Sequence, residues 1–145
     1  MRIYLDNCCF NWPFDDQSKI RVKLEAEAKL FIQQAIWDGK IELIWSYILD
    51  YENSYNPFEE RRALIQCWKD QAAIVISETP QTIALAGDLE NTRIRSKDAL
   101  HVACAIQAQC DYFVTTDDVL LKCLSGFSAI KVINPVDLTR ILEPE

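Results

Sequence analysis

A chain of 145 residues, half of them hydrophobic and 26% charged, has the composition of a globular protein and the length of one domain spanning residues 1–145. Acidic residues number 22 against 15 lysines and arginines, for a formal charge of −7. That balance excludes a grip on nucleic acid through a broadly basic surface, but not work on it through a metal held by carboxylates. The glycines Gly39, Gly87 and Gly126 lie far apart, so neither the dinucleotide-binding nor the P-loop phosphate cradle can be built.

In chain order, Ile3-Tyr4-Leu5 is a short apolar run ending at Asp6 and reads as a buried strand. From Lys19 to Lys40, the residues Ile20, Leu24, Ala28, Phe31, Ala35 and Ile36 fall on one stripe of a long amphipathic helix, with Gly39 as the stop signal. Ile41 to Trp45 is a second strand, and Ser46 caps a helix running through Glu52 toward Asn56-Pro57. Pro57 starts another helix, with Glu59 and Glu60 in its first turn and Ala63, Leu64, Cys67 and Trp68 on its face.

Ala73 to Ile76 is a β-branched third strand. Thr79-Pro80 opens a helix over Ile83, Ala84 and Ala86 that ends near Asn91. Ser96 caps the next helix, in which Ala99 to Ile106 is apolar almost all round and must be buried. Tyr112 to Thr115 is a fourth strand, Val119 to Cys123 a short helix, Ile130 to Ile133 a fifth strand, and Pro135 begins a last helix. Strands alternating with helices imply an α/β three-layer sandwich: a mostly parallel sheet of about five strands with helices on both faces.

In open sheets of this class, the site lies outside the carboxyl ends of the strands. Asp6 follows the first strand, Glu52 lies nearly two turns into the helix after the second, Asp98 is in the first turn of the buried helix, and Asp117 and Asp118 follow the fourth strand. Carboxylates gathered from such distant positions repel unless a cation neutralises them or some are protonated. An oxygen-only donor set favours a hard ion, Mg²⁺ or Mn²⁺. Glu52 shares a stripe with Ile48 and Tyr55 and points inward, whereas Asp50 lies half a turn away and is read as solvated. His101, the single histidine, sits on a mostly apolar helix and reads as a packed side chain with one satisfied nitrogen.

These residues carry a resemblance. Tyr4-Leu5-Asp6-Asn7, Ser46 followed by Glu52, Lys97-Asp98-Ala99-Leu100-His101-Val102-Ala103 and Val114-Thr115-Thr116-Asp117 resemble, in order and over essentially the whole chain, the motifs of the PIN-domain nucleases, and at this size the VapC-like ribonuclease toxins among them. The resemblance implies a PIN-like fold and metal-dependent hydrolysis of RNA phosphodiester bonds. In it, Asp6 is the central metal ligand, Asp98 and Asp117 complete the metal site, and Glu52 faces them to bind metal or orient water. Asn7 and Thr115 stand where small polar residues support substrate or water. Asp118 replaces Asp117 if the register slips by one. The resemblance also implies a cognate antitoxin, homodimerisation and no membrane partner.

Arg93, Arg95 and Lys97 precede Asp98 directly; Arg95 and Lys97 are read as a local phosphate guide, with plain solvated surface as the alternative. The aromatic segment Phe10-Asn11-Trp12-Pro13-Phe14 could stack on a base or pack in a core or interface. Two other functions compete. A phosphohydrolase of the haloacid dehalogenase class wants Asp-x-Asp, and Cys8 occupies the second acid's place. A non-catalytic PIN fold serving as an RNA- or protein-binding module is opposed by intact acids at every position. The opening Met1-Arg2-Ile3-Tyr4-Leu5-Asp6 shows no signal peptide and no apolar run is long enough to span a bilayer, so a cytoplasmic setting is expected. The six cysteines include no C-x-x-C pair. They are read mostly as reduced core residues, and a structural zinc site is not expected.

Overall fold

In the computed structural model, which describes residues 1–10 and 19–143, the chain alternates strands and helices. Strand β1 (Arg2–Leu5) leads into a single 3₁₀ turn (Asn7–Phe10), followed by helix α1 (Ile20–Trp37), β2 (Glu42–Ser46), α2 (Tyr47–Ser54), α3 (Glu59–Gln66) and β3 (Ala72–Ile76). Helices α4 (Pro80–Leu89) and α5 (Ser96–Gln107) precede β4 (Tyr112–Val114), and α6 (Asp118–Cys123), β5 (Lys131–Ile133) and α7 (Pro135–Leu142) complete the order.

The five strands form one sheet in the order β3-β2-β1-β4-β5, and every pairing is parallel. In the middle of the sheet, Ile3 stands beside Leu43 on one side and Tyr112 on the other. Parallel sheets are covered on both faces, which is why β1, β2 and β4 read as continuous apolar runs. Ile3, Tyr4, Leu43, Ile44, Trp45, Phe113 and Val114 are all fully buried. Edge strand β3 alternates instead, with Ala73 and Val75 exposed.

The connection β1-α1-β2 steps toward one edge and β3-α4-α5-β4 returns across the sheet. Right-handed crossovers running in opposite directions place their helices on opposite faces. Helix α1 packs against α7, and α4 packs against α5. The chain leaves β1 toward β2 but leaves β4 toward β5, so a crevice opens between the carboxyl ends of β1 and β4, the topological switch point.

Local chemistry fixes the helix starts. Ser46, Thr79 and Asn134 accept hydrogen bonds from Leu49 N–H (3.4 Å), Thr82 N–H (3.2 Å) and Val136 N–H (2.8 Å). Pro80 and Pro135 sit at first helical positions, where no N–H is needed. Gly39, at φ +74°, turns the chain after α1.

Three local expectations are corrected. The buried face of α1 is not the apolar stripe: Ile20, Leu24 and Phe31 are exposed, while Glu25, Lys29 and Gln33 are buried beside Ala26, Ala28, Ile32, Ala35 and Ile36. Tertiary hydrogen bonds, described below, outweigh the pattern. On α3 only Ile65 is buried, and Leu64 and Cys67 face solvent. Ser96 is the first residue of α5, not its cap; Arg95 occupies the cap position and makes no side-chain cap bond. The helix it opens is buried as expected, with Ala99, Val102, Ala103, Cys104 and Ala105 at 0% exposure.

Candidate metal centre

At the switch point, Asp6, Asn7, Cys8, Glu52, Asp98, Thr116 and Asp117 line one cleft of about 390 Å³. Four elements deliver its acids. Asp6 ends β1, Glu52 comes from the second turn of α2, Asp98 from the first turn of α5, and Asp117 from the end of β4. The sequence thus brings Asp6, Glu52, Asp98 and Asp117 together as expected.

Asp6 is held most firmly. It is 8% exposed; its backbone N–H donates to Val114 O at 2.9 Å, continuing the β1–β4 ladder. Its Oδ1 accepts from Asn7 N–H at 2.8 Å and its Oδ2 from the Thr115 hydroxyl at 2.8 Å. Thr115 is fully buried, and its Oγ1 also accepts Asp117 N–H at 3.1 Å. It therefore supports the two acids themselves. Asn7 lines the cleft, and its buried Oδ1 has no hydrogen-bond partner among the described residues, an arrangement that costs free energy unless a ligand completes it.

The floor beneath Asp6 is the 3₁₀ turn Asn7–Phe10, whose carbonyls lack helix partners. The buried polar residues of α1 supply them: Lys29 Nζ donates to Cys8 O at 3.0 Å and Gln33 Nε2 to Cys9 O at 3.4 Å. Phe10 is buried and packs edge-on against Trp45, with ring centroids 5.4 Å apart, so it belongs to the core. Residues 11–14 of the expected aromatic segment lie outside the described residues.

Asp117 accepts Val119 N–H (2.9 Å) and Leu120 N–H (3.3 Å) through Oδ1, so it caps α6 while lining the cleft. Asp118 instead forms a surface ion pair with Arg21, with Nη1 2.7 Å from Oδ2. Of the two, Asp117 lines the cleft. Asp50 is not simply solvated: it accepts Trp45 Nε1–H at 2.9 Å, Gln66 Nε2–H at 2.8 Å and Lys69 Nζ–H at 3.0 Å. Burial opposes its charge, but these three bonds prevail and hold its carboxyl below the usual value. Arg95 and Lys97 are exposed on the approach to Asp98, and Tyr55, expected to turn inward with Glu52, faces solvent.

Electrostatics separate the acids. Burial, followed by the charges of Asp6 and Asp117, raises the Asp98 carboxyl above the ordinary carboxylate range. Burial pushes Glu52 up as well, but the hydrogen bond from His101, with the charge of Lys97, leaves it lowered. His101, expected to have one satisfied nitrogen, has both satisfied. It is buried, and both ring nitrogens are bonded, Nε2 to Glu52 Oε1 and Nδ1 to the Tyr4 hydroxyl at 2.6 Å. Its solitary place on an apolar face gave no signal of a carboxylate partner arriving from α2.

Ligand-capable atoms of Asp6, Glu52 and His101 lie within 4.8 Å of one another. With both its nitrogens committed, His101 joins this group through Glu52. A half-buried cleft of carboxylates, one raised by burial and its neighbours' charge, beside a buried amide oxygen with no partner among the described residues, fits a hard divalent ion. Among the described residues, Asp6 and Glu52 are the carboxylates close enough to share such an ion, and Asp98 and Asp117 line the same cleft. Cys8 adds a thiol to the same wall, its Sγ 3.2 Å from the Thr116 hydroxyl; the bond to Cys9, against burial, keeps this thiol below its usual value. Cys9, Cys104 and Cys110 are core residues as expected, but Cys67 and Cys123 are exposed, and all six cysteines are unpaired by disulfides.

The fold and the cleft can be set beside known proteins. A comparison with curated proteins found no match. Among solved structures, VapBC2 from Rickettsia felis bound to a DNA fragment from its promoter matches with a TM-score of 0.62 at 14% identity, over 92% of this chain and 98% of that one. VapBC-1 from nontypeable Haemophilus influenzae matches with a TM-score of 0.61 at 15% identity, over 93% of this chain and 98% of that one. At such identities the likeness is one of fold. The family model of the PIN domain matches residues 3–123, from the first buried strand to the end of α6 and across all four acids of the cleft, and on that span the chain belongs to the PIN-domain family.

Proposed function

We propose that this chain is a metal-dependent endoribonuclease using Mg²⁺ or Mn²⁺, the VapC-like toxin of a toxin–antitoxin pair. The observation that carries the reading is the convergence of Asp6, Glu52, Asp98 and Asp117 on one cleft at the switch point of the sheet. Four carboxylates in a half-buried cleft are costly without a cation and useful with one. The fold shared with VapBC proteins supports an antitoxin partner.

Asp6, Asp98 and Asp117 would hold a divalent ion, which would supply neutralisation of phosphate charge and Lewis-acid activation of water. Thr115 and the Asn7 N–H keep the Asp6 carboxylate in one orientation. Glu52, whose lowered carboxyl is ionised at neutral pH, orients the attacking water and accepts its proton. Asn7 Oδ1 completes the cleft wall, and Arg95 and Lys97 draw the phosphate backbone to a site whose own charge repels it. Cys8 takes no step in this chemistry.

Exposed apolar residues, including Ile20, Leu24 and Trp37 on α1 and Phe58 and Leu64 around α3, are surface on which the antitoxin and a second copy of the chain would pack. Among the described residues, no helix is long and apolar enough to cross a membrane. Together with six free cysteines, this accords with work on RNA in the cytoplasm.

The test is cleavage of end-labelled RNA with Mg²⁺, with Mn²⁺ and with chelator, by wild type and Asp6→Asn. Metal-dependent cutting that Asp6→Asn abolishes is expected. Absence of cutting with either ion, or equal cutting by the variant, would overturn the reading. For the partner, growth arrest on induction and its relief by a short co-transcribed upstream reading frame are expected.

A further inference from the structure

Behind Glu52 runs a chain of hydrogen bonds that the proposed hydrolysis does not call for. Ser46, Tyr4 and His101 are 0%, 0% and 1% exposed. Ser46 Oγ lies 2.5 Å from the Tyr4 hydroxyl, Tyr4 Oη lies 2.6 Å from His101 Nδ1, and His101 Nε2 meets Glu52 Oε1. The chain starts and ends on the same helix: Ser46 caps α2, and Glu52 is carried two turns along it. Between those points it passes through β1 and α5, tying three elements together.

Counting donors gives the chain a direction. At one end the donor is fixed, because Leu49 N–H can only donate to Ser46 Oγ. At the other, an ionised carboxylate can only accept. Ser46, Tyr4 and a singly protonated imidazole contribute three hydrogens to the three bonds between them and Glu52. One order satisfies them all: Ser46 O–H to Tyr4, Tyr4 O–H to His101 Nδ1, and His101 Nε2–H to Glu52 Oε1. The Cys104 thiol, pushed up to about 12 by burial and so protonated, donates to the second lone pair of Ser46 Oγ and leaves this order intact.

We propose that His101 and Tyr4 are positioning residues for Glu52. The buried relay fixes His101 as its Nε2–H tautomer, and that N–H clamps one oxygen of Glu52 so that the other is presented to the acidic cleft. A glutamate two turns along a helix would otherwise sample many rotamers. The same logic fixes histidines and carboxylates around metal sites, where loss of an outer hydrogen-bond partner typically costs about 10–100-fold. Only the catalytic consequence rests on the nuclease reading; the tautomer does not.

His101 is the chain's only histidine, so its ring nitrogens can be observed by ¹⁵N NMR of histidine-labelled protein without assignment. In wild type, one slowly exchanging N–H at Nε2 is expected, with Nδ1 unprotonated. Tyr4→Phe keeps the ring volume but removes the donor to Nδ1, so tautomer mixing and faster N–H exchange are expected. In the RNA assay, Tyr4→Phe should lower kcat about tenfold with KM and Mn²⁺ affinity unchanged. His101→Gln, which keeps an N–H donor toward Glu52, should retain more kcat than His101→Ala. A ring protonated at Nδ1, rapid exchange like that of a free imidazole, or a Tyr4→Phe variant with wild-type kcat would overturn the proposal. If wild type cuts no RNA, the nuclease reading falls, while the NMR result still decides the relay.

Discussion

Replacing Asp6 by asparagine should have opposite consequences in the absence and presence of metal. Ligand-capable oxygens of Asp6 and Glu52 lie within 4.8 Å. Like charges at that distance repel by about 0.9 kcal/mol in bulk water and about 3.5 kcal/mol at an effective dielectric of ~20. Asp6→Asn removes that repulsion, as well as the part of the Asp98 shift that Asp6 causes. Against this, asparagine keeps one acceptor oxygen: the bond from Asn7 N–H falls to neutral strength, and the contact with Thr115 survives only if its hydroxyl turns to accept from the new Nδ2–H, costing about 1 kcal/mol each. The balance leaves the metal-free variant within about 1.5 kcal/mol of wild type. An acid held for structure alone would lose the bonds with no compensation. With Mg²⁺ or Mn²⁺ at about one hundred times its Kd, wild type should gain about 2.7 kcal/mol. At about 3 °C per kcal/mol for a chain of this length, that is a Tm rise of about 8 °C, absent in Asp6→Asn. The assay is thermal unfolding in chelator and in each ion. A metal-free Tm for Asp6→Asn more than about 10 °C below wild type, or a wild-type Tm that neither ion moves, would refute the reasoning.

Three further outcomes follow from the same geometry. Asp117→Ala should abolish metal binding by calorimetry and lose about 1 kcal/mol of α6 capping, whereas Asp118→Ala, which breaks only the exposed pair with Arg21, should change neither metal affinity nor Tm. Asp50→Ala strands the buried Trp45 N–H and should cost about 1–3 kcal/mol at neutral pH. Because the Asp50 carboxyl is depressed in the folded protein, its contribution is complete above the ordinary value of 3.8 and is lost as pH falls through the folded value, so the wild-type and Asp50→Ala acid-unfolding curves should converge at the acid end. Arg95→Ala with Lys97→Ala should weaken RNA binding and lower the salt slope of log K by about 2, leaving Mn²⁺ affinity unchanged; equal RNA affinity would remove the phosphate-guide role.

Much of the layout was legible because parallel sheets write themselves as apolar runs: Ile3-Tyr4-Leu5 and Tyr112-Phe113-Val114 each name both their strand and the acid that follows it. The four acids followed from position, since strand ends at a switch point are set by topology and not by side-chain detail. What escaped was every contact made by residues far apart in sequence. The apolar stripe of α1 was misplaced because Lys29 and Gln33 are needed beneath the Asn7–Phe10 turn, a demand that periodicity cannot register. Asp50 and Glu52 look alike by composition; Trp45, Gln66 and Lys69 claim one, and His101 the other. Separating Asp117 from Asp118 needed only the sight of Arg21 beside the second.

The sheet order also sets when the cleft can exist. Asp6 is made first, yet its neighbour across the crevice is β4, whose last residue, Val114, accepts the Asp6 backbone N–H, and Thr115 and Asp117 come later still. A ribosome has therefore released nearly four-fifths of this chain before the central acid meets its supports, and an abandoned translation product ending anywhere before β4 carries Asp6 with no site around it. For a protein proposed to cut RNA, a strand order that completes the cleft only with β4 and the turn after it leaves such shortened copies without the site.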